Sequence, residues 1–186
     1  MEALILSTAV VALAEMGDKT QLLSFVLAAR LKKRLPIIFG ILFATLANHF
    51  LAGYAGAWLA SLVSPRALRW IVALAFFAFG AWALVPDKLA ENRELRGAGV
   101  FLTTLVAFFL VEMGDKTQLA TVALAARYDS LVTVVLGTTL GMMIANVPAV
   151  WVGAALAHRI NMQALRRLAA ALFVVLGMLA LLAPAA

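Results

Sequence analysis

Cysteine is absent from the chain, which removes disulfides, thiolate metal sites and cysteine nucleophiles from consideration. Charge is scarce as well. Only 13% of the 186 residues are charged, against about 25% in a soluble domain. Apolar residues fill the space: 65% of the chain is hydrophobic, against roughly 45–50% in soluble proteins, and mean hydropathy is +1.03. A soluble core of this size cannot hide so much apolar surface, so the missing solvent is lipid. The start, Met1-Glu2-Ala3, lacks the basic region of a signal peptide, and its first apolar run reads as a retained helix. A net charge of +6 and a pI near 10.3 would alone suggest a nucleic-acid partner. The basic residues instead form short clusters between apolar runs, where the positive-inside rule places them, and no nucleic-acid partner is expected.

A helix needs about 20 mostly apolar residues to cross the hydrocarbon. Six segments qualify: 4–29, 35–62, 67–85, 100–126, 131–157 and 164–183. The chain therefore reads as an all-α polytopic membrane protein with six transmembrane helices. Pro36 and Pro65 lie near helix starts, where a missing N–H costs least. The halves repeat. Glu15-Met16-Gly17-Asp18-Lys19-Thr20-Gln21-Leu22 recurs as Glu112-Met113-Gly114-Asp115-Lys116-Thr117-Gln118-Leu119, an offset of 97. Without a gap the same offset maps Leu27-Ala28-Ala29-Arg30 onto Leu124-Ala125-Ala126-Arg127, Gly40 onto Gly137, Gly56 onto Gly153 and Gly80 onto Gly177. This is an internal duplication. Its expected units are a first three-helix repeat (1–86), a cytoplasmic linker (87–99) and a second three-helix repeat (100–186).

Three spans per half is an odd number, so the second half must enter the membrane from the opposite side. Loop charges set the orientation. Connections 1–2, 3–4 and 5–6 hold ten Lys/Arg: Arg30, Lys32, Lys33, Arg34, Lys88, Arg93, Arg96, Arg159, Arg166 and Arg167. Connections 2–3 and 4–5 hold three: Arg66, Arg69 and Arg127. This bias places the first set in the cytoplasm and both termini outside it.

The centres of spans 1 and 4 fall near residues 16 and 113, which puts both acid motifs at the bilayer midplane. Each charge there costs roughly 2.5–3.5 kcal/mol on translocon scales, so intramembrane charge signals function. On a continuous helix Glu15 and Asp18 are i,i+3 and share one face, as do Glu112 and Asp115. Antiparallel packing would bring all four carboxylates around one point. Gly17 and Gly114 allow either close backbone approach or a local break that frees carbonyls. Thr20, Gln21, Thr117 and Gln118 add neutral oxygens, completing a hard-ligand set suited to Ca²⁺, Mn²⁺ or Mg²⁺. The plainer alternative is a pair of i,i+4 ion pairs, Glu15–Lys19 and Glu112–Lys116, which would leave Asp18 and Asp115 unmatched. Lys19 and Lys116 could tune the acids or reach toward water. Asn48, His49 and Asn146 lie near the centres of spans 2 and 5; they could bond between helices, and His49 could carry protons. His49 and Asn146 are repeat equivalents. Pro148 is expected to kink span 5, and the adjoining Met16 and Met113 read as filler.

Two copies of E-M-G-D-K-T-Q in a six-span chain resemble the GDT family of cation transporters, whose signature is E-φ-G-D-[KR]-[ST] in each of two inverted three-helix halves. The resemblance implies export of Mn²⁺, with Ca²⁺ second, in exchange for protons and without a resident cofactor. It implies Glu15, Asp18, Glu112 and Asp115 as metal ligands, supported by Thr20, Gln21, Thr117 and Gln118. It further implies a compact bacterial form in the plasma membrane, and a homo-oligomer is compatible with it. Two other classes compete with this reading. A membrane-embedded Mg²⁺-dependent lipid pyrophosphatase would need Arg or several donors to clamp phosphate, which the midplane lacks. A non-transporting scaffold would leave the repeated buried acids unexplained.

Overall fold

The computed structural model describes residues 1–85, 99–128, 130–152 and 162–182. Among these, every regular element is an α-helix: α1 (Glu2–Glu15), α2 (Lys19–Leu31), α3 (Arg34–Leu62), α4 (Pro65–Ala83), α5 (Gly99–Glu112), α6 (Lys116–Arg127), α7 (Leu131–Val152) and α8 (Met162–Leu182). Helices α3, α4 and α7 are long and apolar enough to cross a bilayer, while α5 and the Arg167–Leu182 part of α8 are shorter apolar helices. The linker at 87–98, Asp129, Gly153, His158-Arg159 and the tail of span 5 lie outside the described residues.

Local chemistry explains the boundaries. The Ser64 Oγ accepts from Ala67 N at 3.3 Å and Pro65 occupies the first turn, so α4 begins with a side-chain cap and a residue that needs no donor. The expected spans 4–29 and 100–126 are not single helices. Each is two, α1/α2 and α5/α6, parted at Met16-Gly17-Asp18 and Met113-Gly114-Asp115. Gly17 has φ +84° and Gly114 φ +78°, a conformation that ends an α-helix and that only glycine adopts without strain. The described part of span 5 is one helix across Pro148, which lies inside α7.

Helix contacts pair off under the 97-residue offset. Helix α1 packs on α7 as α5 packs on α3, and α2 meets α7 as α6 meets α3. The two broken segments cross, α1 against α6 and α2 against α5. Glu2 at the start of α1 accepts a hydrogen bond from the Tyr128 hydroxyl at the end of α6, 3.0 Å. At the other side the Arg34 guanidinium, at the start of α3, lies 5.1 Å from the Trp151 ring centroid at the end of α7. Helices α4 and α8 pack together through Phe76, Phe79 and Phe173, and a Cβ at Gly177 would meet the Phe77 ring at 2.7 Å. Large apolar side chains also point outward. On α3 alone Phe39, Phe43, Phe50, Tyr54 and Trp58 are each at least half exposed. A surface this apolar requires lipid around it, while the polar residues below are buried.

Candidate functional site

At each break the chain makes the same turn. Asp18 N donates to Glu15 O at 3.0 Å, and Asp115 N donates to Glu112 O at 3.0 Å. The glycine N–H released by each break is taken up by a glutamine: Gly17 N donates to Gln21 Oε1 at 2.9 Å and Gly114 N to Gln118 Oε1 at 2.6 Å. The other end of each amide ties the turn to a neighbouring helix, Gln21 Nε2 to Ala145 O at 3.1 Å and Gln118 Nε2 to Asn48 Oδ1 at 3.2 Å. Both glutamine oxygens, expected as neutral ligands, are thus occupied in bracing the backbone.

The four acids are buried, but they do not share helix faces in pairs. Glu15 and Glu112 end α1 and α5, whereas Asp18 and Asp115 are the N-cap residues of α2 and α6. Neither aspartate caps its own helix through its side chain. Each faces the other repeat: Lys116 Nζ pairs with Asp18 Oδ1, and Lys19 Nζ lies 3.0 Å from Asp115 Oδ1. The i,i+4 arrangement is replaced by this reciprocal exchange, because the breaks turn the lysines off the faces that carry the glutamates. One oxygen each from Glu15, Glu112 and Asp115 lie within 4.8 Å of one another. Glu15 Oε2, Glu112 Oε2 and Asp115 Oδ2 have no hydrogen-bond partner. A buried cluster of carboxylate oxygens at that spacing can bind a hard divalent cation.

Around the cluster the polar residues divide by role. Thr117 Oγ1 donates to Glu112 Oε1, while Thr20 Oγ1 is buried without a partner. Asn146 Nδ2 donates to Glu15 Oε1 at 3.3 Å and to Met142 O at 3.1 Å; its Oδ1 accepts from Ser24 Oγ at 2.6 Å. Asn48 Nδ2 donates to Phe109 O at 3.0 Å. His49, fully buried, has Nε2 at 3.8 Å from Glu112 Oε1. Met113 is 53% exposed and points away.

The family of divalent cation/proton antiporters called GDT1 matches residues 3–91 and 100–186. The chain belongs to this family. It is 45% identical over 179 residues to a Vibrio cholerae protein named "Putative manganese exporter", covering 96% of this chain and 90% of that one. It is 30% identical over 217 residues to GDT1-like protein 5 of Arabidopsis thaliana, covering 96% and 94%. No solved structure matches. The protein is a multi-pass membrane antiporter whose transported substrates are divalent cations and protons, and the enzyme and scaffold readings are set aside.

Within the antiporter, the structure gathers Glu15, Glu112 and Asp115, sets Asp18 against Lys116, and places Asn146 and His49 beside the two glutamates. Ser24, which orients Asn146, went unnoticed in the sequence. Its signal was there: the repeat offset maps Ser24 onto Thr121, another buried hydroxyl.

Proposed function

We propose that this antiporter exports Mn²⁺, and secondarily Ca²⁺, across a bacterial plasma membrane in exchange for protons. The observation that carries this is the buried set of Glu15, Glu112 and Asp115 oxygens within 4.8 Å, built where two broken helices cross. Glu15 and Glu112 take the cation with Asp115. Asp18 completes the acid set as Lys116's partner, and Thr20 and Thr117 supply hydroxyls. Hard oxygen donors suit Mn²⁺ and Ca²⁺ alike. The name of the 45%-identical bacterial relative supports manganese and export.

The ion pairs sharpen the charge count. Asp18 with Lys116 and Asp115 with Lys19 each sum to zero, which leaves Glu15 and Glu112 carrying −2. One divalent cation or two protons cancel that charge. The empty, doubly charged form is held back by the low dielectric, and loaded-only crossing is what obligatory exchange requires. The exchange is therefore one M²⁺ for two H⁺, electroneutral, with an inward proton gradient driving export.

Residues 1–86 and 100–186 form inverted three-helix repeats joined by the 87–99 linker, giving six spans in which the broken pairs count as one each. The pairing of helix contacts under one offset supports this. Both termini lie outside the cytoplasm on the reading of the loop bias. The start of α1 meeting the end of α6, and the start of α3 meeting the end of α7, supports the six-span path and leaves the choice of side to that bias. Uptake of Mn²⁺, Ca²⁺ and Mg²⁺ into proteoliposomes under imposed pH gradients tests the function. Mn²⁺ flux should follow the pH gradient; flux indifferent to it would overturn the proposal.

A further inference from the structure

The crossing is nearly symmetric, and its departures from symmetry are informative. Under the 97-residue offset Glu15 corresponds to Glu112, and Asn146 to His49. The structure keeps that correspondence in space: Asn146 sits against Glu15, and His49 against Glu112. The chemistry differs. On one side an amide is fully committed, donating to Glu15 and Met142 O and accepting from Ser24. On the other an imidazole is fully buried, and neither ring nitrogen has a hydrogen-bond partner. The hydroxyl that would correspond to Ser24, on Thr121, donates to Thr117 O at 2.9 Å and leaves the ring alone. A buried imidazole with unsatisfied nitrogens costs free energy, and a ligand at Nε2 would remove part of that cost.

Its distance fits such a ligand. Two donors bound to one ion on bonds of about 2.2 Å lie roughly 3 to 4.4 Å apart, from a right angle to a straight line. His49 Nε2 and Glu112 Oε1 are 3.8 Å apart, too far to bond each other and within that range.

We propose that His49 is the nitrogen ligand of the transported cation and sets the preference for transition dications over Ca²⁺ and Mg²⁺. The proposal rests on the carboxylate cluster being the cargo site. Oxygen donors alone discriminate weakly among hard dications, whereas an imidazole lone pair favours first-row transition ions, increasingly from Mn²⁺ to Co²⁺, and adds little for Ca²⁺ or Mg²⁺. The duplicated site thus carries an amide at one of its two equivalent positions and an imidazole at the other.

The test uses the full-length protein in proteoliposomes and detergent, with Mn²⁺, Co²⁺ and Ca²⁺ as probes. His49→Asn installs the amide of the equivalent position, and His49→Gln is a second variant should the first fail to accumulate. Either variant should lower Mn²⁺ flux relative to Ca²⁺ flux by about tenfold or more, with a larger loss for Co²⁺. Pulsed electron paramagnetic resonance of bound Mn²⁺ should show nitrogen coupling that changes when histidine is labelled with ¹⁵N and vanishes in both variants. His158→Gln, altering the other of the two histidines, should keep it. Bound Mn²⁺ without histidine coupling, or an unchanged Mn²⁺-to-Ca²⁺ ratio in the variants, overturns the role of His49 and leaves the proposed function standing. A wild-type protein that moves none of the probes overturns both.

Discussion

The reciprocal ion pairs make the charge count vulnerable to a single substitution. Lys116→Gln removes the cation from Asp18, so the cation-loaded site goes from neutral to −1. Breaking one partner of a buried pair costs about 3–5 kcal/mol because the remaining charge is uncompensated, and the variant should accumulate less and melt earlier than wild type. Both loaded forms of the surviving protein then cross with a charge of −1, in opposite directions. The exchange stays electroneutral over a full cycle, while each single crossing becomes sensitive to voltage. A unit charge crossing the whole membrane field changes by about 2.3 kcal/mol per 100 mV, a bias of about 50-fold; half the field gives about 7-fold. Asp18→Asn combined with Lys116→Gln restores neutrality, and both stability and voltage independence should return. Lys19→Gln with Asp115→Asn also keeps the charge balanced, but it removes an oxygen donor of the proposed cluster, so stability should return while metal flux stays low. The assay is Mn²⁺ flux in proteoliposomes at a fixed pH gradient with the potential clamped by valinomycin and potassium. Wild-type flux should ignore the potential. Wild-type flux that tracks voltage, or a Lys116→Gln protein whose single-turnover crossing ignores it, would refute the charge count.

Glu15→Gln and Glu112→Gln should each reduce gradient-driven metal flux by at least about 100-fold while the protein remains in the membrane, since each removes half the uncompensated charge; near-normal flux would remove that residue from the ligand set. Gly114→Ala meets no atom within 4 Å but forces a side chain onto φ +78°, and should cost about 1–2 kcal/mol in thermal unfolding. Gly56→Ala should be worse, because its Cβ would stand 2.2 Å from Val122 O where α3 and α6 approach, and backbone must move to admit it. Fusions at the C-terminus should give active alkaline phosphatase and dark green fluorescent protein, and fusions within 87–98 the reverse; the opposite pattern would invert the orientation.

Hydropathy made the apolar segments and the repeat legible because both depend on residue type along the chain. The breaks were only half legible. Met16-Gly17 and Met113-Gly114 are apolar enough to carry a hydropathy window across the gap, so spans 1 and 4 read as continuous. Only a glycine between two acids hinted otherwise. Once the helices part, the i,i+3 and i,i+4 relations lapse. Lys19 then reaches Asp115 rather than Glu15, and Gln21 turns its oxygen to Gly17 N, a donor that a continuous helix would have consumed. The inequality of His49 and Asn146 was visible as letters. Its consequence was not, since satisfaction of Asn146 depends on Ser24 and Glu15, both from a different half of the chain.

The break also explains why the two kinds of acid take different partners. A helix end carries about half a unit charge, positive at the N-terminus and negative at the C-terminus, and its effect is confined to the terminal turn. Asp18 and Asp115 stand at the N-terminal ends of α2 and α6, each beside a first-turn lysine that the helix end disfavours. Pairing each lysine with the other repeat's aspartate relieves that conflict and ties the repeats together. Glu15 and Glu112 stand at the C-terminal ends of α1 and α5, where the helix adds negative potential to the carboxylate. The helix ends therefore leave the glutamates with more uncompensated negative potential than the lysine-paired aspartates. The same sequence, E-x-G-D-K, thus sets one acid at a helix C-terminus and the next at a helix N-terminus only because glycine ends one helix and starts the next between them.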